Sequence, residues 1–384
     1  MGVWDELTGQ AEAIGVFTAA AAAGATGSSM THAWLITGPP GSGRSNLAYA
    51  FAAALLSRNA EDLEATERQV AARTHPDLGV LSTDRVIISI DEVRQLVSSS
   101  QFSPSVGRFR IMVIEDADRM SERTSNVLLK ALEEPPPRTV WILCAPSEAD
   151  LIPTIRSRVR SVRLRVPSVD EVAELLTRRD GVDLATATRA ARESQSHIGM
   201  AHRLATNDEA RERRESTLQV ALGIRTVGDA VRAAGVLLDL AGDDAKAITQ
   251  ERDAEEREGT LRSLGIEPGG TIPPALRSQL KSLEDDQKRR ATRSLRDGLD
   301  RIMVDLLSLY RDILLVQLGA TTEPINLSIH SELVAASGRS TSADTLATMD
   351  AIALARRRID GNVSPALALE AMLISTATKR TVTI

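Results

Sequence analysis

The feature that most constrains this chain is a glycine-rich octapeptide, Gly38-Pro-Pro-Gly-Ser-Gly-Arg-Ser45, set between an apolar run and an alanine-rich run. The preceding residues His32–Thr37 (HAWLIT) read as a short buried strand, and Asn46–Leu56 reads as a helix. A glycine loop between strand and helix is the setting of a phosphate-binding P-loop. Gly38, Gly41 and Gly43 allow close backbone approach, while the helix N-terminus presents free N–H groups and the positive end of a dipole. The pattern calls for lysine before the hydroxyl residue, and here Arg44 precedes Ser45. A guanidinium is planar, larger and less able to act as a compact point charge between phosphates. The loop therefore has two readings: a working site for ATP or ADP with Mg²⁺, or a retained fold element.

The surrounding pattern is of the same kind. Trp4–Ala23 reads as an amphipathic helical region, and Arg110–Ile114 (RIMVI) and Thr139–Leu143 (TVWIL) read as two more buried strands. Between those strands, Ser121–Glu134 is a helix stopped by Pro135–Pro137, which cannot continue it. Short apolar strands alternating with helices predict an α/β domain over residues 1–166, its parallel sheet covered on both faces. From about Ser168 the strand signal vanishes. Val169–Arg178, Asp183–Arg192 and Gly199–Ala205 predict a small all-α lid over 167–208. The rest, 209–384, is predicted to be an all-α C-terminal domain. Its helical regions include Ala230–Leu264 and Pro274–Leu318, split by the breaker run Gly265–Pro274, and a final pair around Ser342–Asp360 and Pro365–Thr376. The charge-rich stretch Gln250–Arg262 reads as a solvated helix face or a projecting hairpin.

Composition excludes several function classes. No run of 18 apolar residues occurs, and the Ala19–Ala23 tract follows acidic residues rather than a basic segment, so neither a membrane span nor a signal peptide is expected. With Cys144 the single cysteine, no disulfide framework or cysteine-based zinc site is available, which points to the cytoplasm. A net charge of −6 and 2% aromatic residues argue against a protein that coats nucleic acid or stacks bases. If DNA matters here, the chain is expected to meet it through an assembly.

The second strand runs into Glu115-Asp116-Ala117-Asp118. A P-loop NTPase places Asp first, to hold Mg²⁺, and positions the attacking water with the next residues. Here the order is Glu115 then Asp116. A base shortened by one methylene is drawn back from the water, and proton transfer needs hydrogen-bond reach.

Two later blocks carry a specific resemblance. Asn126-Val-Leu-Leu-Lys-Ala-Leu-Glu-Glu-Pro-Pro136 and, after a strand, Thr154-Ile-Arg-Ser-Arg158 are similar to the NALLK-x-LEEPP and TI-x-SRC blocks of bacterial DNA polymerase III clamp-loader subunits, members of the AAA+ family. Gly9-Gln10, Thr74-His-Pro-Asp77, Ile90-Asp-Glu-Val-Arg94 and Asn362-Val-Ser-Pro-Ala-Leu-Ala-Leu-Glu370 add to the likeness. It implies an AAA+ domain, a lid and a helical collar. Motor subunits of that family are expected to carry GKT/S, DE-x-H and a polar sensor residue. This chain has Arg44, the swapped Glu115-Asp116 with Asp118 in the histidine place, and Ala145-Pro146 at the sensor. Where a later Gly-to-Arg sensor is expected, it has Gly199 and His202, with Arg203 adjacent.

Loss of catalytic groups with retention of Ser157-Arg158 resembles the delta-prime class. That class implies a subunit at one end of a hetero-pentameric ring of γ/τ motors, δ and δ′, which loads a sliding clamp on primed DNA. Arg158, with Ser157, would then be an arginine finger for the neighbouring motor's ATP. The alternative is an active γ/τ-type ATPase using Arg44, Ser45, Glu115 and Asp116. Apolar stripes over Arg301–Leu318 and Leu367–Ile374 are expected to meet neighbouring collars. The family's four-cysteine zinc module has no counterpart in Ser57–Arg73, which reads as a charged helix, and Val159 stands where the cysteine after Ser-Arg is expected. No zinc is expected, and His75 reads as a turn residue.

Overall fold

The structure, a computed structural model, describes residues 4, 7–24, 27–59, 61–83, 87–263 and 277–380. It comprises two compact units, Met1–Thr206 and Asn207–Ile384. The breaker run Gly265–Pro274 lies outside the described residues.

The first unit opens with α1 (Ala11–Ala23), β1 (Ala33–Thr37), α2 (Arg44–Leu56) and α3 (Leu63–Ala71). There follow β2 (Leu78–Leu81), α4 (Ile90–Ser100), β3 (Arg110–Ile114), α5 (Glu122–Glu133) and β4 (Thr139–Ala145). A single turn, α6 (Pro153–Arg156), leads to β5 (Arg160–Arg163). The strands form one parallel sheet in the order β2-β3-β4-β1-β5. All five residues of β1 and all seven of β4 are buried, as strands covered on both faces must be. Alternate residues serve opposite cores. Trp34, Ile36, Ile111, Val113, Val140 and Ile142 pack under α1 and α2, whereas Leu35, Met112, Ile114, Trp141 and Leu143 pack with residues of α4 and α5. The first core is anchored by Phe17, Trp34 and Phe51, whose ring centroids lie 4.5–5.5 Å apart.

The strand pattern read from sequence holds for β1, β3 and β4, but it missed both edges. β2 has four residues, and β5 reads Arg-Ser-Val-Arg, with only Val162 buried. Both strands are short, and the charged side chains of β5 suit a sheet edge, where they face water and hydrophobic alternation is lost. The first helix is also shorter than expected, beginning at Ala11 after Gln10.

Helices α7 (Val169–Asp180), α8 (Leu184–Glu193) and α9 (Ile198–Thr206) complete the first unit. A capping box of Ser168 and Glu171 starts α7, and Gly181 in the left-handed region ends it.

The second unit is helical among its described residues: α10 (Asp208–Gly223), α11 (Val227–Ser263), α12 (Arg277–Gln317), α13 (His330–Ser337), α14 (Ser342–Asp360) and α15 (Pro365–Arg380). The long helices α11 and α12 run antiparallel. Gly298 allows α12 to approach the Ala241 backbone, and Arg257–Glu284 (3.2 Å) and Arg290–Asp253 (3.4 Å) continue the pairing outward. The charged stretch 250–262 is thus the outer part of this helical pair. The stripe expected to leave α12 toward a neighbour instead faces inward. Ile302, Met303, Leu306, Leu309, Tyr310 and Ile313 pack in the unit's own core, with Leu369, Met372 and Leu373 of α15. A 3.6-residue period marks a face for burial without naming what buries it. Arg214, buried beside Asp305 and Asn326, joins α10 to α12 and the segment that follows it.

Candidate nucleotide and arginine-finger sites

The loop 38–45 connects the C-terminal end of β1 to α2. Gly41 (φ +77°) and Gly43 (φ +91°) adopt left-handed backbone that side-chain-bearing residues avoid, and no side chain caps the N-terminus of α2. The loop backbone therefore fits a phosphate. Its functional side chains, however, face the protein. Arg44 Nη1 donates to the Gly38 carbonyl at 2.5 Å, turning the guanidinium back into the loop. Ser45 Oγ donates to Glu115 Oε2 at 3.3 Å.

Glu115, at the end of β3, is enclosed by partners. Arg73 Nη2 lies 2.7 Å from its Oε1, and the Tyr49 hydroxyl donates to the same oxygen. Burial, then the hydrogen bond to Glu115, pushes the Tyr49 phenol well above its ordinary range. Arg73 takes a left-handed conformation (φ +57°) and lies over the Tyr49 ring at 5.7 Å. Asp116 pairs with Arg119 at 3.7 Å. Asp118, in the histidine place, has a carboxyl raised above its usual range, first by burial and then by Asp116. Burial also pushes the nearby Cys144 thiol up to about 12, although Arg44 opposes the shift. At the sensor place Ala145 is fully buried, and the Pro146 carbonyl accepts from the Gly38 N–H at 3.2 Å. The loop can thus cradle a phosphate. Beside it, Glu115 is engaged by the Arg73 guanidinium and by the hydroxyls of Tyr49 and Ser45.

The three-helix layer reaches the same loop. Residues Gln195 and Ser196 are both left-handed (φ +53° and +63°), a turn that sets His197 against Gly41. The Ile198 N–H donates to the Gly41 carbonyl at 3.3 Å. His202, at the later sensor position, places Nδ1 2.8 Å from the carboxylate of Asp180. Arg179, and then this histidine, hold the Asp180 carboxyl below its usual range.

Ser157 and Arg158 form a separate group between α6 and β5. Arg158 Nε donates to Glu133 Oε1 at 2.7 Å, and Nη1 donates to the Thr154 carbonyl at 2.7 Å and to Ser157 Oγ at 3.0 Å. The base of this turn is fixed by Ile155, which is fully buried.

The structure therefore assembles Gly38, Gly41, Gly43, Arg44, Ser45, Glu115 and Asp116 at one end of the sheet and sets Ser157 and Arg158 apart. Sequence reading missed Tyr49, Arg73, Glu133 and His197. Tyr49 could have been found one helical turn beyond Ser45; Arg73 and His197 come from distant turns and left no such signal. Among the described residues, no group of three or more His, Cys, Asp and Glu could hold a metal ion, and no helix is long and apolar enough to cross a membrane.

Residues 9–168 match the family model described as DNA polymerase III, delta subunit. The DNA polymerase III subunit delta′ of Pseudomonas aeruginosa is 34% identical over 154 residues, covering 38% of this chain and 47% of that protein. The subunit gamma of Buchnera aphidicola (from Acyrthosiphon pisum) is 29% identical over 150 residues, covering 38% of this chain and 41% of that one. The chain thus spans less than half the length of these curated relatives. A DNA polymerase III gamma subunit-related protein of Thermotoga maritima superposes over 90% of this chain and 94% of its own, with 16% identity and a TM-score of 0.41.

Proposed function

We propose that this chain, whose residues 9–168 match the DNA polymerase III delta subunit family model and are similar to a delta′ subunit, works as the non-motor end subunit of a clamp loader. In this reading it joins γ/τ motors and δ in a hetero-pentamer that loads a sliding clamp on primed DNA. Arg158 serves the ATP of the neighbouring motor. Residues 167–208 are the lid and 209–384 the collar.

The observation that carries the reading is a contrast within one domain. The groups a motor needs are turned to internal partners: Arg44 to Gly38, and Glu115 to Arg73 and Tyr49. Arg158 also bonds within its own subunit, to Glu133, Thr154 and Ser157, but through a side chain still one-third exposed on the turn after α6, supported by buried Ile155. An arginine finger needs rigid placement at a surface and no nucleotide of its own, since it stabilises charge developing on a phosphoryl group held elsewhere. Exposed Leu354 on α14 and Leu367 on α15 give the proposed collar apolar surface beyond its own core.

A second reading, an active γ/τ-type ATPase, is favoured by one feature: the left-handed glycines and uncapped α2 suit a phosphate. Reconstitution with motor, δ and clamp subunits separates the two. The delta-prime reading expects DNA-stimulated ATP turnover that needs this chain's Arg158 and not its Arg44. The motor reading expects turnover by the isolated chain, abolished by Arg44→Ala.

A further inference from the structure

Glu133 is the last residue of α5, and Glu134 follows as its cap before the three prolines. A carboxylate there faces the negative end of the helix dipole, an unfavourable place for it. The guanidinium of Arg158 offsets that charge, with Nε and Nη2 both against Glu133 Oε1. With Nη1 taken by Thr154 and Ser157, most of the guanidinium's five N–H groups point to acceptors of its own subunit. A phosphoryl group on a neighbour needs those same donors.

Resting on the finger reading above, we infer that Glu133 is a positioning residue that parks Arg158 in the resting subunit. The finger acts only by exchanging this carboxylate for a neighbour's phosphate. The pair is suited to exchange because it is not sealed: the side chains of Arg158 and Glu133 are 33% and 46% exposed. Ion pairs this exposed are weak. The Thr154 and Ser157 contacts steady Nη1 from the other side, so the side chain keeps its direction when Glu133 lets go. Nothing covalent changes; one charge-assisted hydrogen-bonded partner replaces another.

The test uses the full chain, free and in the reconstituted clamp loader. Glu133→Gln keeps the shape of the side chain and removes its charge. In the free chain, the Arg158 Nε proton, assigned by its loss in Arg158→Lys, should exchange slowly with solvent in the wild type and faster in E133Q. In the ring without DNA, E133Q should raise kcat for ATP about two- to fivefold, the range a surface ion pair can supply, with KM unchanged. The double variant E133Q/R158A should turn over like R158A alone. A merely structural Glu133 would not raise turnover, nor would its effect vanish when Arg158 is absent. If R158A lowers turnover while E133Q leaves or lowers it, the parking role is wrong and the finger stands. If R158A itself changes nothing, the finger reading fails and this role falls with it. An unprotected Arg158 Nε proton in the free wild-type chain overturns the parking role whatever the ring does.

Discussion

The imidazole of His197 occupies the space that a side chain at Gly41 would need. The contact joins the three-helix layer to the glycine loop, and the Ile198 N–H donates to the Gly41 carbonyl beside it. Gly41→Ala should be strongly destabilising, because it adds left-handed strain of about 1–2 kcal/mol to a clash with the ring. His197→Ala removes the clash and leaves the strain. In denaturation of the two single variants and the double, the double should be more stable than the sum of the singles by about 0.5–3 kcal/mol. Additive effects would mean that the ring does not rest on the glycine.

The isolated chain should hydrolyse ATP at less than about 1 s⁻¹, the low end of ordinary enzymes. Arg44→Lys should not restore activity, because Glu115 stays engaged by Arg73 and Tyr49 and the sensor place is an alanine. Steady-state phosphate release by wild type and R44K checks both. Turnover above that level in the wild type would favour the motor reading.

Arg158→Ala should change the stability of the free chain by no more than about 0.5–1 kcal/mol, the worth of an exposed ion pair. In the reconstituted ring it should lower ATP turnover. The drop should be smaller than the roughly 10³–10⁵ that follows loss of a finger in a single-site system, because other motor sites keep their own arginines. Arg158→Lys should rescue poorly, since an ammonium lacks the planar fork. A variant ring that assembles, hydrolyses ATP and loads clamps at the wild-type rate would make Arg158 structural.

Asp77 gives the protein an acid-sensitive joint. Its buried carboxylate accepts the N–H groups of Ser105, Val106 and Gly107 at 2.6–2.7 Å, and Arg110 lies 3.6 Å away. Burial alone would raise its pKa, but those N–H groups outweigh burial and hold the carboxyl below the usual aspartate range. A depressed folded-state pKa contributes stability that is fully present above the unfolded value, about 3.9, and is lost as pH falls through the folded value. Asp77→Asn should therefore cost about 2–4 kcal/mol near neutrality, with the gap to wild type narrowing below about pH 4. Urea unfolding of both proteins across pH 3–7 checks it. A gap independent of pH would assign the cost to shape alone.

Elemental analysis of the purified chain should find no stoichiometric zinc. The single thiol, Cys144, is fully buried in the sheet and its proton is strongly held. One equivalent that resists chelation would show that the cysteine-free segment 57–73 had been misread.

By itself the sequence determined the α/β character of the first unit, because β1, β3 and β4 are short, almost wholly buried runs of mainly apolar residues. It also located the glycine loop and the proline stop after Glu134, since backbone needs of that kind are written in residue type at fixed positions, while the Ser157-Arg158 pair stood out only through its resemblance to a family block. Only the tertiary structure decided where the charged groups point. That Arg44 turns to Gly38, that Arg73 closes on Glu115 and that Arg158 rests on Glu133 are choices among partners as far as 42 residues apart. No local pattern encodes such a choice, because a long charged side chain can reach many acceptors and is settled by the one that folding brings within hydrogen-bond distance. The same holds for the stripe on α12. Its period announced burial, and only the packed second unit showed that its own helices, α15 among them, supply the cover.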